Sequence, residues 1–181
     1  MKQKQIGFEF EIGSPLGLQT TCNRIKKELN ISGLKTKTEM TVETPARYNG
    51  EIVTPIWPLA KGISNLKRIF KWFEKNDIVT NDTCGFHVNI SFKNKSLNWM
   101  IDPTTLVLCF NEEKWLKICN RMNNEYAECL IDKLILDRGK RKFADEKKAF
   151  KWVEDTIEDT MDEKFRSVNI ERLESDTPYV E

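Results

Sequence analysis

The sequence is poor in the residues that build several common kinds of site. Its 181 residues include one histidine and eight glycines, and its five cysteines contain no Cys-x-x-Cys pair. A structural zinc site usually needs paired Cys or His ligands, so that class of site is disfavoured. A Walker-type glycine-rich loop is also missing, and a bound nucleotide would therefore have to be held by other means.

Long apolar runs and an excess of one charge are missing too. The chain carries 29 Lys and Arg against 28 Asp and Glu, a balance that gives no general attraction to nucleic acid or to an anionic membrane. No apolar stretch approaches the roughly 20 residues of a membrane-spanning helix. The first residues alternate as a strand does and do not resemble a signal peptide. We therefore expect a cytoplasmic protein with reduced thiols that binds neither nucleic acid nor membrane.

Alternation of apolar and polar side chains predicts the strands. Residues 5–12 (QIGFEFEI) and 85–92 (GFHVNISF) alternate most clearly, which indicates strands with one buried face. Residues 35–43 (KTKTEMTVE) are predicted to form a polar strand, and residues 51–55 (EIVTP) a short one that Pro closes.

Proline positions predict the first two helices. Ser14-Pro15 indicates a helix start with an end near Leu29, and Pro58 indicates another helix that reaches about Lys75. The second helix is predicted to bury a stripe made of Ile63, Leu66, Ile69, Phe70 and Phe73.

The second half of the chain is predicted to be mostly helical. We expect helix over about 102–164, interrupted by a basic loop at 137–141, with strand-like pieces at 165–171 and 177–181. One apolar stripe of this half is predicted to be core: Trp115, Ile118, Cys119 and Met122. The whole pattern predicts one α+β domain, residues 1–181, with a curved, mainly antiparallel sheet, helices packed on one face and a helical insertion at about 102–164.

The polar faces of the two clearest strands carry the chemistry. Glu9 and Glu11 lie two residues apart, so both carboxylates point to one side, where they repel unless a cation or arginine neutralises them. Such hard oxygens suit Mg²⁺ or Mn²⁺. His87 and Asn89 lie on the polar face of the other strand. Each residue alone is more simply a solvent-facing side chain, but the combination favours a site.

Three motifs in order resemble one family. G-F-E-F-E at 7–11, G-E-I-V-T-P at 50–55 and C-G-F-H-V-N-I-S at 84–91 resemble the amidoligases of the glutamate–cysteine ligase and glutamine synthetase superfamily. The resemblance spans about residues 6–92, and beyond it only 166–170 and 179–181 align. It implies a glutamine-synthetase-like catalytic domain. It also implies an ATP-dependent ligase that joins a small-molecule or peptide carboxylate to an amine through an acyl phosphate.

The resemblance also implies a set of metal ligands. They are Glu9, Glu11, Glu51 and Glu181, binding Mg²⁺ or alternatively Mn²⁺. Either Glu39 or Glu43 would supply an acidic residue that precedes the E-[LI]-V-[ST]-P element, and the sequence leaves this choice open.

Further roles follow from the same resemblance. His87 would lie beside a metal or the ATP phosphates, and Asn89 and Asn169 would reach nucleotide or substrate. The implied catalytic residues are Glu51, His87 and Arg166.

The sequence departs from the family pattern at its end. An arginine is expected two residues after Glu181, where it would stabilise charge during phosphoryl transfer, and the sequence stops before it. Three explanations stand: a truncated chain, a protein partner or second copy that supplies the rest, or a chain that has lost catalysis. The alternative function is therefore a catalytically inactive amidoligase-like domain that binds protein or peptide. A metal-dependent hydrolase or nuclease is a weaker third alternative.

Overall fold

The computed structural model describes residues 4–92, and from the second half of the chain residues 111–119, 121–122, 148, 151–152 and 155–156. Two compact units divide the chain, Met1–Asn94 and Lys95–Glu181. All the described strands lie in the first unit. The predicted single domain with a helical insertion at about 102–164 stays a prediction.

The first unit is built around one long strand, β1, Lys4–Ser14. Its apolar residues Ile6, Phe8, Phe10 and Ile12 are all buried, and Phe8 is only 1% exposed. Glu9 and Glu11 alternate with them and therefore face the other side of the sheet. The sequence therefore predicted correctly which side chains of β1 face the core.

β1 is the centre of an antiparallel sheet. It pairs with β3, Tyr48–Val53, with the two-residue β4, Trp57–Pro58, and with β5, Phe86–Phe92. The three-residue β2, Lys35–Lys37, extends the sheet beyond β3. β5 lies along one side of β1, because residues of β1 that pair with β3 or β4 also pair with β5. The predicted α+β class with a mainly antiparallel sheet is confirmed.

Thr54 joins β1 to the segment between β3 and β4. The Thr54 backbone N–H donates to the Phe8 carbonyl oxygen at 2.8 Å. The Phe8 N–H donates in turn to the Thr54 hydroxyl oxygen at 2.8 Å. The threonine therefore satisfies both backbone groups of Phe8 where the regular ladder is interrupted.

Two helices, α1 (Leu18–Leu29) and α2 (Leu59–Lys75), cover the apolar face of the sheet. Cys22 and Ile25 of α1 join the same core as the apolar side chains of β1. At Gly62 of α2, a Cβ atom would lie 2.2 Å from Ile6 Cγ2, so this helix approaches β1 as closely as its backbone allows. Neither α1 nor α2 covers the opposite face of the sheet, which carries the carboxylates.

Two predicted boundaries are wrong. α1 begins at Leu18, not at Ser14-Pro15, because Ser14 is still the last residue of β1. Its hydroxyl lies 2.7 Å from the hydroxyl of Thr21 in α1. The strand predicted over 35–43 ends at Lys37. Its continuation turns instead, since Glu39 Oε1 accepts hydrogen bonds from both the backbone N–H and the hydroxyl of Thr41.

The predicted buried stripe of α2 is only partly correct. Ile69 and Phe73 are buried, whereas Ile63 and Phe70 are exposed and Leu66 is half-buried. The buried side of the helix also carries Gly62, Asn65 and Trp72. The helix is therefore rotated from the predicted stripe, because Gly62 allows close contact with β1 and Trp72 joins the core. Phe70 still contacts the rings of Phe10 and Phe86 from a partly exposed position.

In the second unit, helix α3, Glu112–Ile118, begins at the N-cap residue Asn111, whose side chain accepts a hydrogen bond from the Lys114 N–H at 3.0 Å. The core stripe predicted here is wrong. Trp115 is 51% exposed and Ile118 is 63% exposed, whereas Leu116 is buried. Cys119 and Met122 are exposed as well. A seven-residue helix buries one narrow side, and Leu116 occupies it.

The described residues contain neither a disulfide nor a helix that is long and apolar enough to cross a bilayer. Cys22 and Cys84 are buried free thiols, and Cys119 is an exposed one. Burial raises the pKa of the Cys22 thiol, which keeps it in its unreactive neutral form.

Candidate functional site

The face of the sheet opposite the core gathers ionisable side chains from four strands. Glu11 of β1 pairs with Glu51 of β3, which in turn pairs with Lys37 of β2. On the other side of β1, Glu9 pairs with His87 of β5. Directly paired residues of an antiparallel sheet point to the same face, so the register alone brings these five side chains together. We refer to them, with Asn89, as the site face.

Glu9 lies at the centre of the site face, and each of its carboxylate oxygens accepts a hydrogen bond. Its Oε2 accepts a hydrogen bond from Lys37 Nζ at 2.8 Å, and its Oε1 accepts one from Asn89 Nδ2 at 2.7 Å. Asn89 lies diagonally opposite Glu9 on the neighbouring strand β5, whereas Lys37 reaches Glu9 from β2, with β3 between the two strands. Burial of a carboxylate without such partners costs free energy, so these two hydrogen bonds stabilise Glu9 in its buried position.

The carboxyls of Glu51 and Glu9 titrate as a pair. Burial raises the pKa of Glu51, and its hydrogen bond to Glu9 together with the negative charge there brings that pKa to about 8. Burial opposes ionisation of Glu9 as well, but hydrogen bonds with Glu51, Lys37 and Asn89 lower its pKa to about 2. At neutral pH one carboxyl therefore keeps a proton while the other is ionised, and the Lys37 ammonium balances the remaining charge.

Glu11 forms a second pair, with His87. Glu11 Oε1 lies 3.4 Å from His87 Nε2, and Glu11 Oε2 accepts a hydrogen bond from the Gly85 N–H. Burial would raise the pKa of Glu11, but the contacts with His87 and Gly85 outweigh it and lower the pKa overall. Glu11 is therefore ionised at neutral pH and oriented by two donors.

Gly85 makes the Glu11–His87 pair sterically feasible. A Cβ atom at this residue would lie 2.4 Å from His87 Nε2 and 3.0 Å from Glu11 Oε2. Any side chain would force the histidine or the carboxylate away, and the backbone N–H that holds Glu11 would shift with it. The sequence motifs predicted no role for Gly85, although a glycine directly before a polar-faced strand can indicate a close approach of the backbone.

Lys37 also belongs to the site face, without a role in the motifs. Its side chain is 56% exposed, yet it reaches Glu9 and Glu51, whose side chains are only 11% and 8% exposed. Its Nζ lies 3.4 Å from Glu51 Oε2. A lysine at an alternate position of a polar strand was the available signal, but only the pairing of β2 with β3 shows where it points.

The structure separates the two acidic candidates in the loop after β2. The negative charge of Glu39 acts on Glu11 and partly offsets the lowering of the Glu11 pKa, so Glu39 lies near the site face. Glu43 is exposed, and its backbone hydrogen-bonds with Asn81 and Thr83. Glu39 is therefore the better candidate for the acidic residue that precedes the β3 motif.

The donor atoms of the site face fit a divalent cation chemically. Three carboxylates supply hard oxygens, and the buried Asn89 Oδ1 has no hydrogen-bond partner, which leaves one more oxygen to be satisfied. However, no three His, Cys, Asp or Glu side chains converge as a ready metal site within the described ranges. Protein groups already engage these carboxylates: Lys37 contacts Glu9 and Glu51, while His87 and Gly85 contact Glu11.

The structure brings together Glu9, Glu11, Glu51, His87 and Asn89 of the predicted site. The other predicted site residues, Arg166, Asn169 and Glu181, lie outside the described residues, as do the two predicted end strands. Their proposed roles stay predictions.

Comparison with known proteins gives the class of molecule. A family model described as "Putative amidoligase enzyme" matches residues 19–173, most of the chain. The chain therefore belongs to this amidoligase family. No curated protein and no solved structure matches it.

Proposed function

We propose that the chain is an ATP- and Mg²⁺-dependent carboxylate–amine ligase that works through an acyl phosphate. The observation that carries the proposal is the convergence of Glu9, Glu11 and Glu51 with His87 and Asn89 on one sheet face, in a member of the amidoligase family. An antiparallel sheet with helices on one face and carboxylates on the other also supports a glutamine-synthetase-like catalytic domain.

Glu9, Glu11 and Glu51 are the proposed magnesium ligands, with Mn²⁺ as an alternative ion. When bound, the metal would supply positive charge that neutralises the ATP phosphates. Glu181 would join this set. The support from the structure is the oxygen character of the site face and the unpartnered Asn89 Oδ1 within it.

The proposed reaction has two steps. A carboxylate oxygen of the substrate attacks the γ-phosphorus of ATP, the bond to the ADP oxygen breaks, and an acyl phosphate forms. The amine nitrogen then attacks the acyl carbon, inorganic phosphate leaves, and the nitrogen loses a proton. His87 is proposed to contact the phosphates, and Arg166 to stabilise charge during transfer.

Glu51 is proposed to act in catalysis through the metal that it helps to hold, and a bound cation would keep its carboxyl ionised. Asn89 and Asn169 are proposed to contact nucleotide or substrate.

Trapping the acyl phosphate tests this function. The protein is incubated with ATP, Mg²⁺, hydroxylamine and, one at a time, the twenty amino acids as carboxylates, and ADP and hydroxamate are measured. We expect both products with at least one carboxylate, and a loss of about 100-fold or more in Glu9→Gln. Glu74→Gln replaces an exposed carboxylate on α2; it is the matched control and should keep full activity. Equal product formation by Glu9→Gln and wild type would contradict the assignment.

A further inference from the structure

Lys37 occupies the place where a cation is most needed on the site face. Its Nζ donates to Glu9 Oε2 at 2.8 Å and lies 3.4 Å from Glu51 Oε2. Among the ion pairs of the described residues, no other lysine or arginine contacts either carboxylate. Lys37 is thus the counter-ion that the structure gives to this carboxylate pair.

The Lys37 side chain is also placed so that it can move away from the two carboxylates. It ends the three-residue strand β2, which adds to the sheet beyond β3 and is followed by a loop. More than half of its side chain is exposed, whereas the two carboxylates are buried. Withdrawal of a long, solvated side chain needs no rearrangement of the core, while withdrawal of Glu9 would also break its hydrogen bond to Asn89.

A divalent ion and the Lys37 ammonium compete for the same oxygens. Mg²⁺ would bind a carboxylate oxygen at about 2.1 Å, and the Lys37 ammonium already contacts Glu9 Oε2 at 2.8 Å. Two cations a few ångströms apart also repel each other.

We propose that Lys37 is a positioning residue that holds the Glu9–Glu51 pair in the resting site and sets its metal affinity, because a divalent cation must displace it. This inference rests on the proposed function. Polyphosphate offers the displaced ammonium a new anionic partner, so metal and nucleotide bind cooperatively through Lys37. Metal alone binds weakly for the same reason.

Manganese titrations of wild type and two variants test the inference. Mn²⁺ is titrated calorimetrically into folded wild type, Lys37→Gln and Lys35→Gln, with and without a non-hydrolysable ATP analogue. Lys35 is the matched control, since it is an exposed lysine of the same strand two residues away. We expect Lys37→Gln to bind Mn²⁺ alone about tenfold more tightly than wild type, and to gain less from nucleotide. Lys35→Gln should equal wild type.

Lys37→Arg keeps the positive charge, so it provides a second test if the neutral variant Lys37→Gln does not fold. Because a guanidinium binds carboxylates with two parallel hydrogen bonds, this variant should bind Mn²⁺ alone more weakly than wild type. Unchanged or weaker Mn²⁺ binding by Lys37→Gln, or tighter binding by Lys37→Arg, overturns the role of Lys37. If wild type still binds Mn²⁺ with nucleotide in that case, the proposed function stands. No Mn²⁺ binding by any folded variant, with or without nucleotide, overturns both.

Discussion

Replacement of Glu51 by glutamine should change how stability depends on pH. The amide keeps the size of the side chain and can still donate a hydrogen bond to Glu9, but it cannot ionise. In wild type the pKa of Glu51 rises from 4.5 in the unfolded chain to about 8 in the folded one. The folded state therefore holds an extra proton across this interval, and stability is fully present below pH 4.5 and is lost as the pH rises through 8.

The interval sets the size of the effect. Each pH unit in which only the folded state holds the proton is worth about 1.4 kcal/mol, so the upper limit is roughly 5 kcal/mol. The joint titration with Glu9 and the half-exposed Lys37 reduce it, and we expect about 1–3 kcal/mol. The lowered pKa of Glu9 acts in the opposite direction, but only between pH about 2 and 4.5, so it does not cancel the loss above pH 5.

Urea unfolding in metal-free buffer with chelator measures this difference. Backbone amide signals of β1 should be followed by NMR, so that the free energy of unfolding refers to the first unit. At pH 5.5 wild type and Glu51→Gln should be similar, and at pH 8.5 the variant should be more stable by about 1–3 kcal/mol. Glu74→Gln should follow wild type at both values. If the free energies of unfolding of wild type and Glu51→Gln changed in parallel with pH, the raised pKa of Glu51 would be refuted.

Two further substitutions test the two faces of β1. Phe8→Ala should lower the free energy of unfolding by roughly 3–5 kcal/mol in urea titrations, because Phe8 is buried and packs against other rings; a loss near zero would mean that the strand parity is reversed. Gly85→Ala should weaken Mg²⁺-dependent ATP binding about tenfold or more in calorimetry while β1 stays folded, because its Cβ would displace His87 from Glu11. Gly17→Ala, where a Cβ meets nothing closer than 4.0 Å, should bind ATP as wild type does, and equal binding by all three proteins would remove Gly85 from the site.

Local patterns were sufficient to predict the two strands that carry most of the site. Alternation in β1 and β5 fixes which side chains share a face, because the side-chain period of a strand is two. It therefore placed Glu9, Glu11, His87 and Asn89 on polar faces. It could not show that β5 lies next to β1, nor that Glu9 meets Asn89 and Glu11 meets His87, since strand pairing depends on contacts far apart in sequence.

The failures have the same origin. Lys37 gained its role through the pairing of β2 with β3, and the strand predicted over 35–43 stopped early because Glu39 hydrogen-bonds locally to Thr41. The buried stripe of α2 was misplaced because Gly62 lets the helix lie close to Ile6 of β1 and because Trp72 hydrogen-bonds to Glu28 of α1. Periodicity indicates that a helix has a buried side, while the partner surface decides which side is buried.

Calorimetric titration of ATP with and without Mg²⁺ tests the central claim most directly. The proteins are wild type, Glu9→Gln and the exposed control Glu74→Gln, each checked for folding. We predict binding that requires Mg²⁺ in wild type and in Glu74→Gln, and its loss in Glu9→Gln. Binding of equal strength in Glu9→Gln, or no binding of ATP by the folded wild type with Mg²⁺, would contradict an ATP–metal site on this face of the sheet.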